Sequence, residues 1–297
     1  VRQMSTVLGQ SGDVPVPWQR VMPARAHLAF TKRLVEEVVV AMATAPLEYY
    51  RTVWVAGNGI FRSLNRCTVD RRAWEEMFSS GEGNVPATRS FEPADDGLAN
   101  PVEYDRFRTL TGRLTVKSGP QILTLKKKHR RMVRSVHGDD GSIVALDFAA
   151  LEARILLYEH GRRCEDVDLY GMIARELGYD RNAIKGAVIS ELYGSSKYAL
   201  GKHLGIEGRA LDEFVKRVQT YFCTRELLAR IKPQFIATGL ITNRYGRPIT
   251  IDEPLDNIFI SYYGQSTGVD VTMLGFHQVI ERLLRAHQTV LGLLEPV

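Results

Sequence analysis

SIVALDFAALEARI, the stretch from Ser142 to Ile155, decides how the rest of the chain is read. Ile143 to Leu146 form an unbroken apolar run, the pattern of a short buried strand, and the run ends at an acid, Asp147. Ala149, Ala150, Leu151, Glu152, Ala153 and Arg154 follow, all good helix formers. The predicted order is strand, carboxylate, helix. An Asp at the mouth of a strand sits on rigid backbone and offers oxygen to a hard divalent cation such as Mg²⁺. Glu152 then returns on the helix to flank the same space. Taken alone, the pattern fits equally an Asp that caps a helix.

Context separates the two. Upstream lies Gly112-Arg113, closing the run Tyr104 to Leu114; downstream lie Arg181-x-x-x-Lys185, running on to Tyr193-Gly194, and Gln265 within Ser261 to Asp270. Together, and in this order, these motifs resemble the polymerase core of family A, bacterial DNA polymerase I-like, DNA polymerases, from roughly Tyr104 to Thr289. The resemblance implies an α+β right-hand polymerase fold of thumb, palm and fingers, with an antiparallel palm sheet and helical fingers. On that basis residues 1–27 are an irregular leader, 28–100 a helical thumb-like segment and linker, 101–165 the first part of the palm, 166–250 the fingers, and 251–297 an incomplete second part of the palm.

Composition agrees with a globular intracellular protein. The chain has 297 residues, 44% of them hydrophobic, and a formal net charge of +5. That length holds one large core or two to three subdomains. The charge is uneven: Lys126, Lys127, Lys128, Arg130, Arg131 and Arg134 stand together just before the Asp147 segment. Such a run is either a solvated loop or a patch for phosphates. The three cysteines, Cys67, Cys164 and Cys223, are too scattered for a disulfide framework or a zinc site, which points to a reducing compartment. No apolar run approaches a membrane span. An intracellular location follows, in cytoplasm or nucleoid, the host of a phage or plasmid included.

Helical spacing predicts an amphipathic helix over Leu28 to Ala45, a short one over Ala73 to Phe78, and a long one over Leu211 to Ile231. Gly81 to Asn100, rich in Gly, Pro, Asp and Ser, reads as a linker. Gly239 to Arg247 reads as a hairpin turning at Gly246, with Arg244 and Arg247 as candidate phosphate contacts. In the helix from Arg181, residues four apart form a slanted stripe, so Arg181, Lys185 and Ile189 face one ligand. Two cations a turn apart match a triphosphate tail.

The resemblance assigns roles residue by residue. Asp147 and the carbonyl of Phe148 would hold two Mg²⁺ ions, with Mn²⁺ as a substitute, for two-metal phosphoryl transfer to a primer 3′ end. Glu152 would pack under the sugar of the incoming deoxynucleoside triphosphate and exclude a 2′-hydroxyl. Arg181 and Lys185 would hold its phosphates, with Lys185 the better proton donor to the leaving group. Ile189 stands where an aromatic usually stacks on the base, Ser190 where a Gly is usual, and Tyr170 where a phosphate-binding His is usual. Tyr193 would stack near the template base, and Gly194 would let the helix bend. Arg113 and Gln265 would touch minor-groove acceptors that all correct base pairs share, with Lys126, Lys127, Lys128, Arg130 and Arg131 on the primer-template DNA. Asn257 and Ser261 replace an Arg and an Asn that commonly support the template. Arg154 and Asp270 read as structural.

One part of the pattern is missing. The family's second carboxylate follows the Gln-bearing helix in a His-Asp pair, and no such pair occurs in the sequence. The expectation is that it lies beyond Val297 or on a second chain that completes the palm. The rival reading is a non-catalytic polymerase-fold subunit that binds primer-template DNA. A single-subunit RNA polymerase is disfavoured by Glu152.

Overall fold

The computed structural model describes residues 22–81, 85–164, 168–193 and 197–286. Contacts divide the chain into two units, Val1–Leu47 and Glu48–Val297. In the first, helix α1 (Ala24–Thr44) buries none of its residues. Its apolar stripe, including Leu28, Leu34, Val35, Val38 and Met42, is exposed. The leader over residues 1–21 lies outside the described residues.

The second unit is mostly helical and carries three two-stranded antiparallel sheets. A π-helical turn (Tyr50–Trp54) leads into α2 (Val55–Arg62). Next come β1 (Thr68–Val69), α3 (Arg71–Ser79) and the single turn α4 (Pro86–Arg89). Asp70 caps α3 by accepting from the Ala73 N–H, which is why that helix starts two residues before its apolar pattern does. Strands β2 (Glu103–Asp105), β3 (Thr115–Ser118) and β4 (Val133–Arg134) follow. β1 pairs with β4, Val69 opposite Val133, and β2 pairs with β3, Asp105 opposite Thr115.

The stretch expected as a linker is instead packed. Phe91 and Ala99 are fully buried beside Met77 and Met132. Arg66 donates to the Ala99 carbonyl at 2.7 Å and to Asp96 at 2.7 Å, while Asp96 accepts from the Leu98 N–H. Asx-turn chemistry thus makes an ordered loop from a composition that also suits a flexible one.

Beyond residue 150 a second core is built from α5 (Leu151–Glu159), α6 (Leu169–Leu177), α7 (Arg181–Tyr193), α8 (Lys197–Leu204), α9 (Gly208–Tyr221) and α10 (Thr224–Thr238). The hairpin β5 (Leu240–Thr242) and β6 (Pro248–Thr250) turns at Gly246, with φ 82°, as its sequence predicts. Then α11 (Asp256–Arg285) runs for 30 residues and packs on α2, α5, α7 and α10. The single helix expected over Leu211 to Ile231 is two: Cys223, at φ 49°, reverses the backbone. Phe222 and Leu227, on either side, both reach the same core. Periodicity does not register a one-residue reversal.

Two fold expectations need correction. Ile143 to Leu146 form no strand: residues 142–148 have no ladder partner among the described residues, and Ile143, Val144 and Leu146 are 59%, 74% and 48% exposed. A strand is a property of a pair, because its backbone donors and acceptors need a neighbour. An apolar run records a tendency to pair and says nothing of the partner. The sheets among the described residues are antiparallel, as expected, but they are three separate two-stranded pairs and not one palm sheet, and β1–β4 joins segments far apart in sequence.

Candidate functional site

Helix α5 begins after Ala150, whose left-handed φ of 54° turns the chain from the Asp147 segment into the helix. Leu151, Ala153, Ile155 and Leu156 are buried, which fixes the opposite side of the first turn, where Glu152 stands. Glu152 meets Arg113, with Oε1 3.4 Å from Nη2 and side-chain exposures of 18% and 34%. The same carboxylate lines a narrow crevice with Leu156, Leu192, Ile260, Ser261, Gly264 and Gln265. Gly264 faces Glu152 closely, a Cβ there falling in ordinary van der Waals contact, 3.9 Å from the Glu152 Cβ. Gln265 is oriented by its own helix, donating to Ser261 Oγ at 2.8 Å. Arg113, Glu152 and Gln265, chosen from three distant stretches of sequence, thus share one place.

A buried network meets the neighbour of Arg113, Gly112. Gly112 has φ 79°, and a Cβ on it would stand 2.0 Å from the Arg247 guanidinium, so only glycine fits. Arg247 lies 3.7 Å from Asp270, and its Nη2 donates to the Arg106 carbonyl. Asp270 is 1% exposed and accepts from Asn243 Nδ2 at 2.5 Å. Burial pushes its carboxyl pKa up to about 6, against the opposing pull of Asn243, Arg247 and Arg106. Arg106 itself lies 4.0 Å above the Trp54 ring.

On α7, Ile184, Ala187 and Val188 are buried, while Arg181, Lys185 and Ile189 are exposed along the expected stripe. Leu192, one turn beyond, reaches the Glu152 crevice. Arg181 is engaged by Asp168, Nε lying 2.9 and 2.8 Å from the two carboxylate oxygens. Lys185 makes no ion pair with a described residue. Tyr193 closes the helix, but its side chain and Gly194 lie outside the described residues. Tyr170 is half-buried nearby. Burial raises its hydroxyl pKa and the Glu152 charge adds to this, while Arg154 and Arg181 oppose it.

Asp147 is exposed, and the Phe148 ring rests on α11, where a Cβ on Gly275 would come within 3.0 Å of it. Among the described residues no three of His, Cys, Asp and Glu converge on a point that could hold a metal. Two dications and a triphosphate need more than one carboxylate. The described residues therefore do not, by themselves, fit the ion pair that the resemblance implies.

The basic run forms a 3₁₀ turn (Lys127–Met132) pinned by buried His129 and Met132. Thr88 Oγ1 lies 3.2 Å from His129 Nδ1, and Lys126, Lys127, Lys128, Arg130 and Arg131 are exposed. Arg134 is drawn to Asp70 at 3.0 Å. Arg244 and Arg247, candidate phosphate contacts, each pair with an acid of the chain: Arg247 is largely buried against Asp270, while Arg244 stays exposed beside Glu159. Arg244 lies 3.0 Å and Arg230 2.6 Å from Glu159, whose side chain is 1% exposed. Burial alone would raise the Glu159 pKa; hydrogen bonds from Arg230, Tyr263 and Arg244 outweigh it and hold the carboxyl below its usual range. Arg154, read as structural, donates to the carbonyls of Ala149 and Cys164. Sequence reading did not find the Glu159 cluster. Its one signal was an acid at the end of an otherwise apolar helix face.

No family model matches the chain, and no curated protein does. Among solved structures, the chain is similar to the POL domain of Pol1 from M. smegmatis in complex with DNA primer-template and dNTP. The TM-score is 0.47 at 16% identity, over 72% of this chain and 42% of that one. The chain thus spans less than half the length of that protein. Among the described residues no helix is long and apolar enough to cross a membrane.

Proposed function

We propose that this chain is the core of a template-directed DNA polymerase that adds deoxynucleotides to a primer 3′ end, in replication or repair. The observation that carries the reading is the meeting of Arg113 and Gln265 at Glu152. In this reading the Glu152 stem lies under the sugar of the incoming nucleotide, where a 2′-hydroxyl would collide. Arg113 and Gln265 hydrogen-bond the minor-groove edge of the terminal base pair. Arg181 and Lys185 hold the triphosphate, Lys185 being the group able to give up a proton. Ile189 and Tyr193 flank the base, and the turn around Lys127 binds the duplex backbone, with an affinity that falls as salt rises.

Asp147 and the Phe148 carbonyl are the proposed first ligands for Mg²⁺. The carboxylate that completes the set would come from outside the described residues or from a second chain.

That no metal-holding cluster forms at Asp147 among the described residues favours one alternative, a polymerase-fold subunit that binds primer-template DNA without chemistry. A labelled primer-template with Mg²⁺ and the four deoxynucleotides separates the two. Lengthening of the primer supports the enzyme. Tight duplex binding with the primer unchanged supports the subunit, and failure to bind defeats both.

A further inference from the structure

We propose that Asp168 is a built-in stand-in for a nucleotide phosphate: it occupies Arg181 until a triphosphate takes its place, and so sets the affinity for the nucleotide. The inference rests on the reading of Arg181 as a phosphate ligand. Its basis is the geometry of the pair. Arg181 Nε lies 2.9 and 2.8 Å from the two oxygens of Asp168, and Nη2 lies 2.8 Å from Oδ1. A carboxylate in this pose presents two oxygens to the edge of a guanidinium, as a phosphate does.

Asp168 does not depend on Arg181 for its position. It is the N-cap of α6, accepting from the Gly171 N–H at 3.2 Å. Gly171 makes room for it, since a Cβ there would fall 2.3 Å from Oδ2. The hydrogen bond from Arg181 and that from Gly171 hold the Asp168 carboxyl below its usual pKa, so it is ionised at neutral pH. The carboxylate is therefore a fixed anion and the arginine the movable partner. Arg181 and Asp168 keep side-chain exposures of 50% and 45%, which leaves an incoming anion access to the pair. Such half-exposed pairs are weak, and a triphosphate carries more charge than one carboxylate. Tyr170, two residues on, feels the charges of both Glu152 and Arg181, so the exchange takes place beside the proposed sugar pocket.

The consequence is opposed to that of a simple structural pair. If Asp168 only orients Arg181, removing its charge weakens nucleotide binding; if it competes, removing its charge strengthens binding. The test is the affinity of the full chain for inorganic tripolyphosphate, and for a matched deoxynucleotide on a dideoxy-terminated primer-template. Asp168→Asn keeps the capping oxygen, and Asp168→Ser is a second capping variant should the first fold poorly. Both should bind tripolyphosphate about two- to fivefold more tightly than the native chain, the range of an exposed ion pair. The gain should shrink as salt rises. Arg181→Ala should bind more weakly, and adding Asp168→Asn to it should restore nothing. Unchanged or weaker binding by both Asp168 variants, with Arg181→Ala still weakened, overturns the stand-in and leaves the nucleotide site intact. Unchanged binding by Arg181→Ala overturns the stand-in together with the reading of Arg181 on which it rests.

Discussion

Glu152 and Asp147 are five residues apart and live in opposite surroundings. Glu152 sits on a helix with a buried opposite face, bonded to Arg113 and walled by α11 residues Ser261, Gly264 and Gln265. Asp147 sits on backbone outside any helix or strand, with no ladder partner among the described residues, between exposed apolar side chains. The first place is complete within the described residues: every wall comes from a helix that the core holds. Among the described residues the second is open in two senses, with no strand beside its backbone and no cluster of acids around its charge. In the proposed reading, recognition of a nucleotide and the chemistry performed on it thus draw on different degrees of structural completion.

That contrast is sharpest in what each region should lose on mutation. Asp147→Ala is expected to lower single-turnover primer extension by about 10⁴-fold, the scale on which one member of a cooperating catalytic group acts. Its effect on stability should stay within about 0.5 kcal/mol, as for an exposed side chain. Retained extension in rapid-quench assays would remove Asp147 from the chemistry.

The supporting network should behave in the reverse way. Asp270→Ala leaves Asn243 and Arg247 buried without their acceptor, for an expected loss of about 3–5 kcal/mol in denaturant unfolding. Its pH dependence has a defined sign. A carboxyl at about 6 in the fold and about 3.9 unfolded binds its proton more tightly when folded. Its contribution is therefore fully present below about pH 3.9 and is lost as pH rises towards 6, by about 3 kcal/mol in all. Asp270→Asn should remove that slope; an unchanged slope between pH 4 and 6 would show that another group titrates there.

Gly112→Ala should cost about 1–3 kcal/mol, from the left-handed backbone and the collision with Arg247. It should also weaken extension through the displaced Arg113, and a variant with native stability and activity would uncouple the network from the site. The smallest effect is expected at Ile189, on the exposed stripe. Ile189→Tyr adds a stacking surface and should improve the use of dideoxynucleotides a few fold. No change in terminator incorporation would mean that the stripe faces elsewhere.

Much of this was legible in the chain. The α7 stripe could be read because spacing alone decides which residues share a helix face, and Ile184 and Val188 on the opposite side are buried as that requires. The β5–β6 hairpin was announced by Gly246. What could not be read was anything decided by a partner. The Asp147 strand was inferred from residues that favour pairing, when pairing needs a second segment. Arg244 and Arg247 look alike in sequence, yet Arg247 is drawn inside by Asp270 while Arg244 stays exposed beside Glu159, partners far away along the chain. The Arg113–Glu152 contact is likewise invisible in sequence, although each residue stands in a motif of its own.

The central claim is that the Glu152 side chain, and not the water-sized crevice behind it, lies under the sugar of an incoming nucleotide, and binding tests it without any demand on the chemistry at Asp147. The measurement is equilibrium affinity of the full chain, on a dideoxy-terminated primer-template, for the matched deoxynucleoside triphosphate and its ribonucleotide counterpart, in native protein and in Glu152→Ala. The account predicts that the native chain prefers the deoxynucleotide by at least about tenfold, as a filled steric pocket allows, and that Glu152→Ala closes most of the gap. Equal affinities in the native chain, or a gap that survives Glu152→Ala intact, would contradict it.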